Sequence, residues 1–512
     1  MGKTTWRAMG LAVVLVFTAA AGWAQPSTAA RYNNAVKLYQ ENKLDEAKAE
    51  FTKVLEADAK DTTTMVWLAV IALRQNDAKR AVELLEQATK LKPDDNLAWN
   101  NLGIAYLQVG NVDGAIGAYQ KAIKVDAKYA DAYYNLGIAF SRKNDTEAAI
   151  GAYTKAVDLT AANPNPDYLN NLANMQRAKG LRIPAIQNYR KARNIKPNDV
   201  TFMLNLGLAL WEENRTAESL VEFEAAAAKQ PDSFTAHLYR GIGYLKLSKD
   251  TDAIAALTRA AELKADDFTA QFNLALANGR LGTKPGFERA VAANEAALKI
   301  KADDVNALNN LGWALFKLGQ LDKAEETFKK AVALDPKFPL APTNLAVLYM
   351  KQNKLEEAEG AWAKVVALEP ENVNAWVQLG DVRYSRSRYA EAQEALETAI
   401  TKKTKDPEAH NKLGLIHNQN GKYALAEKSF RAAIELNAKY APAYNNLGVV
   451  LEQQGPAKLD EAKAMYKKAL EIDPGYEHAK YNLSRFDKAG APTEAPRGDA
   501  TKGGGDAKPT RP

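Results

Sequence analysis

The sequence predicts an all-α fold: an α-solenoid of about thirteen helical hairpins with a closing helix at its C-terminal end. Three observations predict it: a period of 34 residues, two columns of small residues that keep to that period, and apolar residues spaced by three and four. The period shows when Trp99-Asn-Asn-Leu-Gly-Ile-Ala-Tyr106 is laid over Tyr133-Tyr-Asn-Leu-Gly-Ile-Ala-Phe140, and it runs from Thr28 to Tyr476. The eighth position is Gly at 103, 137, 207, 241, 312, 380, 414 and 448 and Ala at 35, 69, 173, 275 and 346. Further on stands a second column, Ala47, Ala81, Ala115, Ala149, Ala185, Ala253, Ala290, Ala324, Ala358, Ala392, Ala426 and Ala462, which only Ser219 interrupts.

Each element follows from this pattern in chain order. Lys3 and Arg7, the apolar stretch Leu11 to Ala21, and the small residues Gly22 and Ala24 predict a secretory signal peptide over residues 1–24, cleaved before Gln25. The body that follows, residues 28–476, is expected to be soluble, in the periplasm or outside the cell, with no integral membrane span. Glycine inside a helix costs about 1 kcal/mol relative to alanine, so its recurrence implies a close approach of the second helix. Phe51, Tyr119, Tyr153, Tyr189, Phe223, Phe328, Trp362, Phe430 and Tyr466 are expected to fill the space toward the next repeat. Pro93, Pro197, Pro231, Pro336, Pro370 and Pro474 stop the second helices. Extra residues near Ala161 to Pro164, at Thr283 to Gly286 and at Pro456 to Lys458 fall in turns, and Asn294 and Val365 predict looser packing around the eighth and tenth repeats. Residues 477–489 suit a capping helix, and 490–512, with Gly503-Gly-Gly505 and several prolines, read as a disordered tail.

Composition narrows the chemistry. With 46% hydrophobic and 25% charged residues, the chain has the balance of a folded soluble protein. Its 68 basic and 62 acidic side chains leave a net charge of +6 without a basic stripe, so no nucleic-acid partner is expected. The absence of cysteine excludes disulfides, thiolate metal sites and cysteine nucleophiles. His237, His410, His417 and His478 make no metal or catalytic constellation by spacing: His410 and His417 share a helix face but occupy large packing positions. An enzyme, a cofactor and a metal site are therefore not expected.

The Trp-x-x-Leu-Gly-x-x-Tyr run, the alanine twelve residues on, the aromatic after it and the closing proline resemble the tetratricopeptide repeat (TPR). The resemblance implies a right-handed superhelix whose first helices line a concave groove. At the sixth position stand Asn101, Asn135, Asn171, Asn205, Asn273, Asn310, Asn344 and Asn446. A side-chain amide can pair with both the carbonyl and the amide of an extended peptide, and it can equally fasten neighbouring helices. Beside this ladder, Trp211, Trp313, Phe316, Met350 and Tyr384 are expected to be partly exposed as an apolar groove. The resulting expectation is a non-enzymatic exported scaffold in the periplasm or at the outer membrane. It would hold extended segments of other envelope proteins in a multiprotein machine, with a leaning toward a myxobacterial gliding-motility component. Polysaccharide binding or export, pilus assembly and secretion are the alternatives.

Overall fold

The computed structural model describes residues 26–402, 404–486 and 496–498. The signal-peptide segment, the last residues of the capping segment and the rest of the tail lie outside these. Among the described residues the regular structure is helical, from Pro26–Gln40 to Glu477–Arg485. The chain divides into two compact units, Met1–Lys246 and Leu247–Pro512. The division falls inside the seventh repeat, whose helices are Phe234–Lys246 and Asp250–Leu263. Unit 1 holds the six hairpins before it. Unit 2 holds the six after it and the closing helix. Within each unit every helix packs on its neighbours in the chain, as Asn96–Gln108 does on Val112–Val125.

Local chemistry sets the helix ends. First helices commonly begin at a short acidic or amide cap: Asp95 Oδ1 accepts the Ala98 N–H at 2.9 Å, and Asp304 Oδ1 that of Ala307 at 3.0 Å. Between the first and second helix of each repeat stands one residue with left-handed backbone: Asn42, Asn76, Gly110, Asn144, Gly180, Asn214, Ser248, Gly282, Gly319, Asn353, Ser387, Gly421 and Gly455. Such a residue reverses the chain at small cost only when it is Gly or Asn, and those two types fill all but two of the thirteen places.

The glycine column works by contact. A Cβ on Gly103 would stand 2.4 Å from the Tyr119 ring, and one on Gly137, Gly312 or Gly414 within 2.7 Å of Tyr153, Phe328 or Phe430. The rings thus lie on the glycine of their own repeat, in addition to the expected filling of space toward the next one. Phe223 does both, lying on Gly207 and stacking on Tyr239 of the seventh repeat at 5.3 Å, and Phe51 stacks on Trp67 of the second repeat at 5.5 Å. In unit 1 these contacts join into one core running from Tyr32 to Leu172.

Candidate peptide-binding surfaces

The sixth-position amides bond mostly across repeats. Asn135 Nδ2 donates to Asn100 Oδ1 at 2.9 Å, Asn205 to Asn170 at 2.8 Å, Asn344 to Asn309 at 2.9 Å and Asn446 to Asn411 at 3.1 Å. Asn171 donates to the Tyr134 hydroxyl at 2.9 Å. Each bond lands on the fifth position of the preceding repeat, so these five amides fasten first helices to one another. Where that fifth residue is apolar the bond cannot form. Asn101, whose predecessor is Val66, is buried with its Oδ1 unpartnered. Asn273 turns back to the Thr269 carbonyl at 2.8 Å. Asn310 follows Phe272 and is half-buried with no hydrogen-bond partner among the described residues. In the closing helix Asn482, which the sequence reading missed, continues the column and donates to Asn445 at 2.9 Å.

The aromatic residues do not form one exposed strip. Trp313 and Phe316 are buried, at 9% and 6% exposure, where partial exposure was expected. Their rings lie 5.4 Å apart in a core shared with Leu345 and Tyr349 of the following repeat, which covers them. Lys317 stands over the Trp313 ring at 4.7 Å, and Lys351 over Phe316 at 5.0 Å. Trp211, Met350 and Tyr384 are half-buried. Trp211, in unit 1, meets Tyr239 at 5.8 Å and the Lys246 ammonium at 3.9 Å; Tyr384, in unit 2, meets Tyr389 at 5.3 Å.

One departure from the repeat opens a space. Asn294 occupies the column that holds a ring in most repeats, and beside it unit 2 contains a cavity of about 930 Å³. The walls include Arg280, Phe287, Asn294, Asn310 and one side of Trp313. Asn294 Nδ2 donates to the Ala290 carbonyl at 2.9 Å while its Oδ1 is buried without a partner. Arg280 is held by Asp250 at 3.0 Å and Ser248 at 3.0 Å. The cavity therefore offers an unused donor and acceptor at Asn310, an indole surface and a fixed cation. This suits a segment that brings backbone polar groups and an apolar or acidic side chain. The expected loosening thus occurs at Asn294; Val365, by contrast, is fully packed.

Charged groups are also buried in unit 2. Lys412 takes the sixth position of its repeat and meets Asp381 at 2.7 Å and Glu408 at 2.8 Å. Burial pushes the Asp381 carboxyl up to about 6, against the pull of Lys412. Burial also lowers His410 and His417 below the usual imidazole value. No cluster of three or more candidate metal ligands occurs among the described residues, and no helix there is long and apolar enough to cross a membrane.

Comparison with known proteins agrees with this architecture. The family model described as tetratricopeptide repeat matches overlapping segments that cover residues 32–166, 183–268 and 343–477, and a second model of the same description matches 305–338. DnaJ homolog subfamily C member 3 of Bos taurus is 30% identical over 138 residues, 27% of this chain and 20% of that protein. Among solved structures, YrrB, described as a TPR protein with an unusual peptide-binding site, is 22% identical, with 37% of this chain and 96% of that one covered and a TM-score of 0.35. The Cut9 and Hcn1 hetero-tetramer of APC/C is 17% identical, with 84% and 97% covered and a TM-score of 0.37. The family models account for well over half of the sequence, and the chain belongs to the tetratricopeptide repeat family, whose arrays are protein-interaction scaffolds.

Proposed function

We propose that this chain is an exported, non-catalytic scaffold that holds extended segments of other envelope proteins and brings them into a multiprotein complex. The observation that supports it best is the cavity beside Asn294, where the Asn310 amide is left without a partner next to Trp313. A column amide whose donors and acceptor are all used between helices has nothing left for a client, whereas a free one beside an open volume can pair with a peptide backbone. Export rests on Lys3, Arg7 and the apolar stretch Leu11 to Ala21. The pathway served, whether gliding motility, pilus assembly, secretion or polysaccharide export, is decided by the client.

The test is a photo-crosslinking residue at position 317, an exposed residue of the cavity lining, in living cells, followed by identification of the captured chain. Position 317 is chosen because a probe in place of the buried Trp313 would disturb the core and one in place of Asn310 would remove the amide itself. Capture of a discrete envelope protein, lost in Asn294→Phe, is the expected result. Capture that is unchanged when the cavity is filled removes the reading, and displacement of the client by sugars would transfer it to polysaccharide binding.

A further inference from the structure

Of the C-terminal segment, Pro496, Arg497 and Gly498 are described, and they lie against the closing helix Glu477–Arg485. Asn482 stands in the amide column of that helix, 36 residues after Asn446, the extra two being absorbed at the turn Pro456–Lys458. The Arg497 N–H donates to Asn482 Oδ1 at 2.7 Å, and Asn482 Nδ2 donates to the Arg497 carbonyl at 2.8 Å. Asn445 Nδ2 reaches the same carbonyl at 3.3 Å, and Asn446 Oδ1 lies 3.7 Å from where a Cβ on Gly498 would stand. The Arg497 guanidinium sits over the Tyr481 ring, 3.7 Å from its centroid.

This is the double pairing that a peptide receptor needs. One amide side chain grips both polar groups of a single backbone unit, which holds a strand without regard to its side chain, while the Tyr481 ring adds a preference for a cation. Asn482 is itself fixed by Asn445 at 2.9 Å, so the grip is oriented in advance. Only residues 486–495 separate the helix from the bound segment, and so short a tether gives the segment a high effective concentration at this place.

We propose that the C-terminal end of the array is a binding site for an extended segment carrying arginine, and that the chain's own Pro496–Gly498 fills it as an internal ligand which a client must displace. The proposal deepens the reading of the column amides as peptide receptors and rests on it. It adds which site is closed, what closes it and what kind of residue the competitor carries.

Trypsin tests it on the intact chain, because Arg497-Gly498 and Lys502-Gly503 are cleavable bonds in the same tail. Two amide bonds should slow cleavage after Arg497 roughly tenfold relative to Lys502, with a free peptide of the same sequence as reference. Asn482→Ala should abolish this protection. Tyr481→Ala, which leaves both amide bonds and the core in place, should reduce it in part. A cleavage ratio equal to that of the free peptide in the wild-type chain, or one unchanged by both substitutions, overturns the proposal. In a second arm, a labelled peptide of residues 492–500 is titrated onto the intact wild-type chain and onto intact Arg497→Glu. Binding roughly tenfold tighter to the variant is expected, and equal affinity or no saturable binding overturns the proposal. Neither arm involves Asn310, so client capture at the cavity can succeed or fail separately.

Discussion

In the fourth repeat Tyr153 lies so close to Gly137 that a Cβ there would come within 2.7 Å of the ring. In the eighth repeat Asn294 takes the place of the ring and Ala275 that of the glycine, and a Cβ on Gly279, one turn further along the same helix, would meet nothing closer than the Ala290 side chain at 3.9 Å. The helices around both sites follow the same plan. The difference shows that one side chain per repeat decides whether a hairpin is closed packing or leaves room for a guest. In a stack where each repeat leans only on its neighbours, such a vacancy stays local.

A third way of joining helices gives the largest expected effect. At the tenth and eleventh repeats, buried Glu359 accepts from Arg383 at 3.1 Å, from Arg388 at 2.6 Å and from Arg386. Burial pushes the carboxyl up, but the three guanidinium groups outweigh it and hold the value below the ordinary 4.5. Glu359→Gln should therefore destabilise unit 2 by about 3 kcal/mol, measured by chemical denaturation at neutral pH. Because the folded value is lowered, this contribution is full above the ordinary carboxyl value and lost as pH falls through the lowered one. The gap between wild type and variant should close in acid, and a gap independent of pH would refute the ionic account.

The packing comparison predicts opposite signs for one substitution. Gly137→Ala forces the Tyr153 ring aside and should cost about 2 kcal/mol. Gly279→Ala has space and gains helix propensity, so it should stabilise by roughly 0.5–1 kcal/mol. Equal signs in thermal melts would mean that the Tyr153 ring contact does not set the cost of a Cβ at Gly137. An effect of similar size lies in the turns. Ser387 holds a left-handed backbone at φ 60, where eleven of the thirteen repeats use Gly or Asn. Ser387→Gly should stabilise by about 1 kcal/mol, while Gly421→Ser, the reverse change one repeat later, should cost a similar amount.

The hairpins were legible in the sequence because the features that specify them recur at a fixed period: the small columns, the rings and the helix-ending prolines. The turn column was equally periodic, from Asn42 through Gly455, and could have been found by its enrichment in Gly and Asn. Burial of Trp313 and Phe316 was not legible, since position within a repeat does not say how fully the next repeat covers a side chain. The amide ladder was found as a column, but its partners depend on a second column in the repeat before. Pairs such as Asn100 with Asn135 and Asn309 with Asn344 become visible only when both are compared at a spacing of 35. Asn482 was hidden because the turn at Pro456–Lys458 shifts it out of the period.

That dependence of each amide on the residue before it means the units of this array are not interchangeable bricks. Excising the whole ninth repeat would preserve every other helix, yet Asn344 would then follow Phe272 rather than Asn309 and lose the acceptor it bonds at 2.9 Å. A lineage that lengthens or shortens the chain by duplication must therefore repair one joint at each splice, so the order of the modules is inherited along with their number.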